Sequence, residues 1–295
     1  MGTEKEDWLC KMSNRESLVL FSPAKVNLFF RVLRKREDGY HEIASLYQAI
    51  SLGDTLTASL AEEDRITCDD PGIPCDERNL VFKALQVFRE RTGYTTKIHF
   101  HLEKKIPIEA GCGGGSSNAA AALFALNVLT ASALDEATLC AWASTFSSDA
   151  PFFFSTGSAY ARGRGEQLTN VDGLGPYFFW LAKPKVGLST PLVYKTCNAK
   201  SLLQRDPQLF LEKALQGQLE LFNDLEHPAF SLMPSLSDLK QDLLHLGFSQ
   251  VSMTGSGTAF MCFGNVKEPA LPGISFFPVH FVQRKVGQWY EFPSI

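Results

Sequence analysis

The residues best suited to do chemistry lie in a glycine-rich loop, residues 106–118, which reads IPIEAGCGGGSSN. Glycine lets a backbone approach a phosphate closely and direct successive N–H groups toward it. Ser116 and Ser117 open a predicted helix, whose N-terminus adds free N–H donors and the positive end of the helix dipole. The pattern predicts an anion-binding loop; the alternative is a plain loop before a helix.

This loop differs from two common nucleotide-binding motifs. No lysine follows the glycines, as a Walker A loop requires. The spacing of Gly111, Gly113, Gly114 and Gly115 does not match G-x-G-x-x-G either. The loop therefore predicts phosphate binding, and the reaction must be inferred from other residues.

Two charged residues are candidates for that reaction. Lys25, in the segment SPAKVN, is a polar residue inside an otherwise apolar pair of predicted strands, and Asp149 precedes the apolar run at residues 152–154. A kinase needs a group that positions or deprotonates the attacking hydroxyl and a cation that balances developing charge. Each of the two is either a site residue or an ordinary surface residue, and in the second case Asp149 would cap a helix. Together with the loop they predict transfer of a phosphoryl group from ATP to a hydroxyl.

The elements that must position these residues follow from hydrophobic periodicity. Residues 18–21 and 26–33 predict strands on either side of a bend or bulge at Pro23. Further strands are predicted at 43–50, 55–60, 96–103, 177–182 and within 251–263, and helices at 79–91, from 116 to about 129, at 135–146, from 189, and at 234–245. Because strands and helices do not alternate regularly, an α+β fold is predicted.

Composition excludes several classes of protein. Of the 295 residues 45% are hydrophobic and 20% charged, and the net charge of -4 gives no general attraction to nucleic acid or anionic lipid. The seven cysteines are scattered, with no C-x-x-C pair, which argues against a disulfide framework or a zinc site and favours a reducing cytoplasm. The charged N-terminus has no apolar leader segment.

Three segments occur in the order typical of one enzyme family. They are PAKVNL at residues 23–28, GGGSS at 113–117 and TGSG at 254–257. In this respect the chain resembles the GHMP family of small-molecule kinases. Four more segments are similar to one subgroup of that family: DGYHE at 38–42, DAPFF at 149–153, GRGE at 163–166 and NDLE at 223–226.

The resemblance implies a two-lobed fold, with a ribosomal protein S5 domain 2-like N-terminal lobe, a ferredoxin-like C-terminal lobe and the active site between them. We expect a tail at residues 1–16, an ATP-binding domain at 17–180 and a C-terminal domain at 181–295. The implied reaction uses ATP and Mg²⁺ to phosphorylate the 2-hydroxyl of the methylerythritol unit of 4-diphosphocytidyl-2-C-methyl-D-erythritol, in the non-mevalonate route to isoprenoids.

The resemblance also assigns roles to residues. Asp149 is expected to be the general base, and Lys25 to steady the charge around it. Acceptor-binding positions are expected at Asn27, Tyr40, His41, Thr190 and Tyr194, with the two tyrosines stacking on the cytosine ring. ATP is expected to contact Pro107, Ile108, Glu109, Ala110, Gly111, Cys112, Gly113, Gly114, Gly115, Ser116 and Ser117. No metal ligand is assigned.

Some alternatives stay open from the sequence. One is another GHMP kinase, acting on mevalonate, homoserine or a sugar; another is a non-catalytic nucleotide-binding protein of the same fold. Tyr40 and Tyr194 could each be an ordinary core or surface tyrosine. Glu109, Cys112 and Asn118 depart from the family pattern, so ATP contacts are expected to differ there. The expected partner is the small-molecule substrate, without nucleic acid or membrane, for a monomer or homodimer.

Overall fold

Two β-sheets organise the part of the chain that the computed structural model describes, residues 16–172 and 174–293. The predicted tail at 1–16 lies outside the described residues except for its last residue. The strands are β1 (Ser17–Lys35), β2 (His41–Ala61), β3 (Arg65–Cys68), β4 (Lys97–Glu103), β5 (Ser158–Gly163), β6 (Gln167–Asn170), β7 (Phe178–Pro184), β8 (Phe222–Asn223), β9 (Gln250–Met253), β10 (Phe260–Phe263) and β11 (Ile274–His280).

The helices lie between and beside these strands. The α-helices are α1 (Leu80–Thr92), α2 (Gly114–Leu129), α3 (Glu136–Ala143), α4 (Thr190–Thr196), α5 (Pro207–Leu215), α6 (Glu226–Leu232) and α7 (Ser235–His245). Two 3-10 helices cover Ala150–Phe154 and Ala199–Ser201. The mixture of sheets and helices confirms the predicted α+β class.

The first sheet has seven strands, in the order β3-β4-β2-β1-β8, with β5 pairing β2 and β6 pairing β5. We call this sheet and the helices on it the N-lobe. The second sheet has four strands in the order β11-β7-β10-β9, and with its helices forms the C-lobe. The two lobes are connected through β8, which follows β7 of the second sheet in the chain but pairs in parallel with β1 of the first sheet. The division predicted at residue 180 stays a prediction; β7 opens the second sheet at Phe178.

β1 and β2 are longer than predicted because the break at Pro23 is a bulge within continuous strands. Pro23 pairs with Gly53, and the next residue, Ala24, pairs with Ile50. Two residues of β2, Ser51 and Leu52, therefore have no partner in the ladder. Proline has no N–H to donate, so a shift of register at this point costs little. The bulge lies just before Lys25.

The helix after the glycine loop is buried on all sides. Every residue of α2 from Ser117 to Val128 is buried, in agreement with its alanine- and leucine-rich sequence. It packs against α1 and β1. Within the described part of the chain, no helix is long and apolar enough to cross a membrane. α2 thus lies within the core of the N-lobe, and its first turn lines the space between the lobes.

Candidate active site

A cavity of about 890 Å³ lies between the two lobes. This volume is in the range of small-molecule sites. Its walls include most of the residues predicted for the site: Lys25, Tyr40, His41, Pro107, Ile108, Glu109, Ala110, Gly111, Cys112, Gly113, Gly114, Gly115, Ser116, Asp149, Thr190 and Tyr194. Asn27 and Ser117 lie behind the wall and are fully buried. The structure thus brings the predicted residues to one cleft, in which Asn27 and Ser117 support the wall from behind.

The glycine loop ends in an exposed helix N-terminus. Gly113, the N-cap of α2, has a left-handed φ of 68°, and no side chain of the described residues caps the helix. The first helical hydrogen bond runs from the Ser117 N–H to the Gly113 carbonyl at 2.9 Å. Within the described part of the chain, the N–H groups of the first turn therefore have no acceptor and are available to a ligand. With the helix dipole, they make this end of the cleft suitable for phosphate.

The glycine loop is in close backbone contact with the C-lobe turn at residues 254–257. A Cβ atom on Gly111, where φ is 78°, would overlap the carbonyl oxygen of Thr254 and lie 2.9 Å from the Gly257 nitrogen. A Cβ atom on Gly257 would likewise overlap the backbone of Ala110 and Gly111. The carbonyl of Ala110 accepts a hydrogen bond from the Ala259 N–H at 3.3 Å. Glycine at both positions is what permits the two lobes to meet here.

Lys25 and Asp149 face each other at the centre of the cleft. The Lys25 Nζ is 3.6 Å from Asp149 Oδ2 and donates to Asn27 Oδ1 at 2.9 Å. The lysine is only 3% exposed, whereas the aspartate side chain is 33% exposed. The strand that carries Lys25, β1, is fixed to the glycine loop by a 2.9 Å hydrogen bond from the Lys25 N–H to the Cys112 carbonyl. An accessible carboxylate beside a buried cation suits a base that receives a proton from a bound hydroxyl.

Tyr47 is a third member of this group that sequence reasoning missed. Its ring lies under the Lys25 ammonium, 4.6 Å from Nζ to the centroid. Its hydroxyl is 3.4 Å from Asp149 Oδ1 and donates to it. Burial, and the nearby Asp149 charge, raise the pKa of Tyr47 well above its usual value, so the hydroxyl stays protonated. Because Tyr47 lies in an apolar strand, its sequence context is that of any core tyrosine.

The other end of the cleft is lined by aromatic and cationic groups. The ring of His41 lies 5.3 Å from the ring of Tyr194. Tyr40 is 55% exposed, and the Arg164 guanidinium lies 4.9 Å above its ring. Burial, and repulsion from Lys35, lower the pKa of His41, which is therefore neutral at physiological pH. Tyr40 and Tyr194 are thus each paired with another cleft residue, and Arg164 joins this wall.

His41 and Thr190 contribute polar groups to the same end. The Nε2 atom of His41 is buried and has no hydrogen-bond partner among the described residues. The hydroxyls of Thr190 and Ser256 are hydrogen-bonded at 2.7 Å, which links α4 to the C-lobe turn. An unsatisfied buried nitrogen in a cavity wall is a group that a polar ligand can bind.

Asn118, one of the departures from the family pattern, lies in a buried polar cluster under the glycine loop. Its amide oxygen accepts from Lys104 Nζ at 3.0 Å, and its amide nitrogen donates to Asp54 Oδ2 and Ser22 Oγ, each at 3.0 Å. Lys104 and Asp54 also form an ion pair, and the Asp54 side chain is fully buried. An amide can accept from the lysine and donate to the carboxylate at once, whereas a second carboxylate would repel Asp54.

The other two departures lie in the loop itself. Glu109 has a left-handed φ of 54°, and its side chain lies against the backbone of Gly187. Cys112 is buried, and that burial raises the pKa of its thiol to about 12, so it stays neutral. Both residues line the cavity. Whether they change ATP contacts stays a prediction.

Two family models together match about half of the chain. Residues 79–157 match the GHMP kinases N-terminal domain, and residues 198–271 match the GHMP kinases C-terminal domain. The matched regions include the glycine loop, Asp149, β8 and the C-lobe turn. The chain belongs to the GHMP kinases, and the predicted two-lobed kinase fold and small-molecule kinase class are confirmed.

Curated relatives narrow the class further. The chain is 45% identical to the 4-diphosphocytidyl-2-C-methyl-D-erythritol kinase of Protochlamydia amoebophila, over 93% of each chain. It is 41% identical to the chloroplastic enzyme of that name from Mentha piperita, over 94% of this chain and 73% of that one. A crystal structure of a 4-(cytidine 5'-diphospho)-2C-methyl-D-erythritol kinase superposes with a TM-score of 0.78 at 33% identity, covering 90% of this chain and all of that one. The chain belongs to this family of kinases.

Proposed function

We propose that this protein transfers the γ-phosphoryl group of ATP to the 2-hydroxyl of 4-diphosphocytidyl-2-C-methyl-D-erythritol, a step of the non-mevalonate route to isoprenoid precursors. The observation that carries the proposal is the position of Lys25 and Asp149, 3.6 Å apart. They lie in one cleft with a phosphate-binding helix N-terminus and with an aromatic wall. The names of the relatives support this acceptor.

In the proposed reaction the oxygen of the acceptor hydroxyl attacks the γ-phosphorus while Asp149 accepts the proton of that hydroxyl. The bond between that phosphorus and the β–γ bridging oxygen breaks, and ADP leaves with the electron pair. The Lys25 ammonium balances the negative charge around the carboxylate and the reacting oxygens. Tyr47, through its hydrogen bond to Asp149 Oδ1, fixes the orientation of the carboxylate.

At the nucleotide end, the N–H groups of the first turn of α2 and the loop backbone bind the phosphates of ATP in this proposal. Within the described chain, no three His, Cys, Asp or Glu side chains cluster so as to hold a metal ion. Mg²⁺ at kinase sites is held by substrate phosphates, water and one or two carboxylates rather than by an all-protein cage, so an ion that arrives with ATP would need few protein ligands. The hydroxyls of Ser116 and Ser147, 2.9 Å apart in this cleft, would be among them. When bound, Mg²⁺ would neutralise charge on the phosphates.

At the acceptor end, the cytosine ring is proposed to lie against the aromatic side chains, with its polar edge toward His41. Stacking on an aromatic side chain contributes about 1–3 kcal/mol per base. The buried Nε2 of His41, which has no partner among the described residues, is available to the base. Mevalonate and homoserine carry no base and could not use this wall. Structures of a homoserine kinase and a mevalonate kinase share the fold at 18% and 13% identity, which concerns the fold alone.

The test is a coupled assay for ADP release with three acceptors at equal concentration: the cytidyl substrate, mevalonate and homoserine. We expect turnover with the cytidyl substrate about 5- to 150-fold above that with the other two, since loss of base stacking alone accounts for about 1–3 kcal/mol. Faster turnover of mevalonate or homoserine would show that the acceptor is wrong. ATP binding without turnover of any acceptor would favour a non-catalytic nucleotide-binding protein.

We further propose that the protein acts in the cytoplasm, as a monomer or homodimer. Six cysteines of the described chain have free thiols, in agreement with a reducing compartment. Every residue used in the proposed reaction comes from a single chain, so the cleft is complete in either state.

A further inference from the structure

The NDLE motif at residues 223–226 has no part in the reaction proposed above, yet its first residue holds the C-lobe turn that closes the cleft. Asn223 is 6% exposed. Its amide nitrogen donates to the carbonyl of Met253 at 2.8 Å and to the carbonyl of Gly255 at 2.7 Å. Its amide oxygen accepts from the Leu225 N–H at 2.9 Å. One side chain therefore fixes the backbone on both sides of Thr254.

Thr254 connects this turn to the strand that carries the candidate catalytic lysine. The Asn27 N–H donates to the Thr254 hydroxyl oxygen at 2.9 Å, and that hydroxyl donates to Asn27 Oδ1 at 3.4 Å. The same Oδ1 accepts from the Lys25 ammonium at 2.9 Å. Asn27, Thr254 and the lysine are each at most 3% exposed. A buried path of hydrogen bonds, joined by the turn backbone at Thr254, thus runs from Asn223 to Lys25.

The origin of this path is itself fixed to β1. Asn223 lies in β8, which pairs in parallel with β1 so that Phe30 is opposite Asn223. The next residue, Asp224, forms a 2.6 Å ion pair with Arg31 of β1. β8 and β1 are therefore joined by backbone pairing and by an ion pair. The C-lobe turn that Asn223 holds is thus fixed relative to the strand that carries Lys25. Removal of the Asn223 amide would free the turn without separating the two strands.

We propose that Asn223 is a positioning residue for phosphoryl transfer: through the turn, Thr254 and Asn27 it sets the place of the Lys25 ammonium beside Asp149. This role rests on the proposed function, since it matters for turnover only if Lys25 acts in the reaction. Misplacement of a catalytic group by about 1 Å can lower a rate by as much as 100-fold. The loss should therefore be larger in kcat than in the KM for either substrate.

The chain offers a matched control for the structural cost of the substitution. Asn127 is also 6% exposed. Its amide nitrogen donates to the Leu134 carbonyl at 3.0 Å and its amide oxygen accepts from the Leu134 N–H at 2.9 Å. It lies near the C-terminal end of α2, away from the cleft. Asn127→Ala thus removes a buried amide that orders a loop, as Asn223→Ala does, but at a place with no link to Lys25.

The first experiment compares kcat and KM of the full-length enzyme and its Asn223→Ala, Thr254→Val and Asn127→Ala variants, at a temperature where all are folded. We expect kcat to fall by about 10-fold or more in the first two, with each KM within about threefold, and to stay within about twofold in Asn127→Ala. In the double variant of Asn223 and Thr254 the two losses should not add, because both act on one path. Additive losses, or equal kcat in the Asn223 and Asn127 variants, would overturn the proposal.

The second experiment needs no substrate and measures hydrogen–deuterium exchange at the Asn27 amide. Its N–H is bonded to Thr254, so exchange should accelerate in Asn223→Ala and not in Asn127→Ala. Accelerated exchange supports the path even if the acceptor proposed for this enzyme proves wrong. Unchanged exchange at Asn27 overturns it, whatever the rates show. Failure of the path and failure of the proposed acceptor are therefore distinguishable.

Discussion

Substitution of Gly111 by alanine tests the close contact between the glycine loop and the C-lobe turn. Two costs can be worked from the structure. The first is conformational: at a φ of 78° an L-residue costs about 1–2 kcal/mol relative to glycine. The second is steric, because the new Cβ would overlap the Thr254 carbonyl oxygen and lie 2.9 Å from the Gly257 nitrogen. Both neighbours are backbone atoms and cannot rotate away, so the loop and turn must separate by about 1 Å.

Gly273→Ala is the matched control for this prediction. Its φ is also 78°, but a Cβ atom there meets nothing within 4 Å. Both variants should lose about 1–2 kcal/mol of stability from the left-handed conformation. Only Gly111→Ala should also lose function, since a shift of about 1 Å at the phosphate end can cost as much as 100-fold in rate.

The assay measures initial rates of ADP release against ATP concentration, together with urea unfolding of each variant. We expect kcat/KM for ATP to fall about 100-fold in Gly111→Ala and to stay within about twofold in Gly273→Ala. If the two variants have equal kcat/KM for ATP, the loop and turn are not held in the contact described, and the reasoning is refuted.

Four further outcomes are expected. Asp149→Asn should lower kcat by about 10²–10⁴-fold and leave the Kd for ATP unchanged; near-normal turnover would contradict its role as base. Tyr47→Phe removes one long hydrogen bond to a carboxylate and should lower kcat by about 3–10-fold. An unchanged kcat in this variant would contradict the role given to that hydrogen bond. Tyr194→Ala should raise the KM for the cytidyl acceptor more than that for ATP, and equal changes would exclude stacking. Hydrogen bonds from Arg89 lower the pKa of Asp64 from 3.8 to about 2, so this carboxylate contributes about 2 kcal/mol of stability above pH 4 that is lost as the pH falls toward 2. In urea unfolding, Asp64→Asn should not show this loss of stability in acid, and an unchanged dependence of stability on pH in that variant would contradict the assignment.

The sequence predicted the local features of the site better than their mutual arrangement. The helix after the glycine loop could be predicted because its composition favours helix. α1 was predicted from its periodicity and the glycine after it; in the structure Asn79 caps its first turn and Gly93 ends it in a left-handed conformation. Residue types also identified Lys25 and Asp149 as candidates, since a charged side chain beside apolar segments is costly to bury unless it is paired or takes part in function.

Other elements were missed because their signals are short or non-local. β8 has two residues and exists through its pairing with β1. The bulge at Pro23 was one of two predicted alternatives, but the continuity of β2 across Ser51 and Leu52 depends on pairing between distant segments. Tyr47 belongs to the site only because Asp149 is folded against it. No pattern within a single segment carries that information.

The most direct test of the proposed reaction is to identify its product. The enzyme is incubated with ATP, Mg²⁺ and 4-diphosphocytidyl-2-C-methyl-D-erythritol, and the product is examined by phosphorus NMR, with the Asp149→Asn variant as control. We expect one new phosphate monoester on the 2-oxygen of the methylerythritol unit, an intact cytidine diphosphate and one ADP per product, with little product from the variant. Phosphate on another oxygen, ADP without a phosphorylated acceptor, or equal product from the variant would contradict the reaction proposed for this cleft.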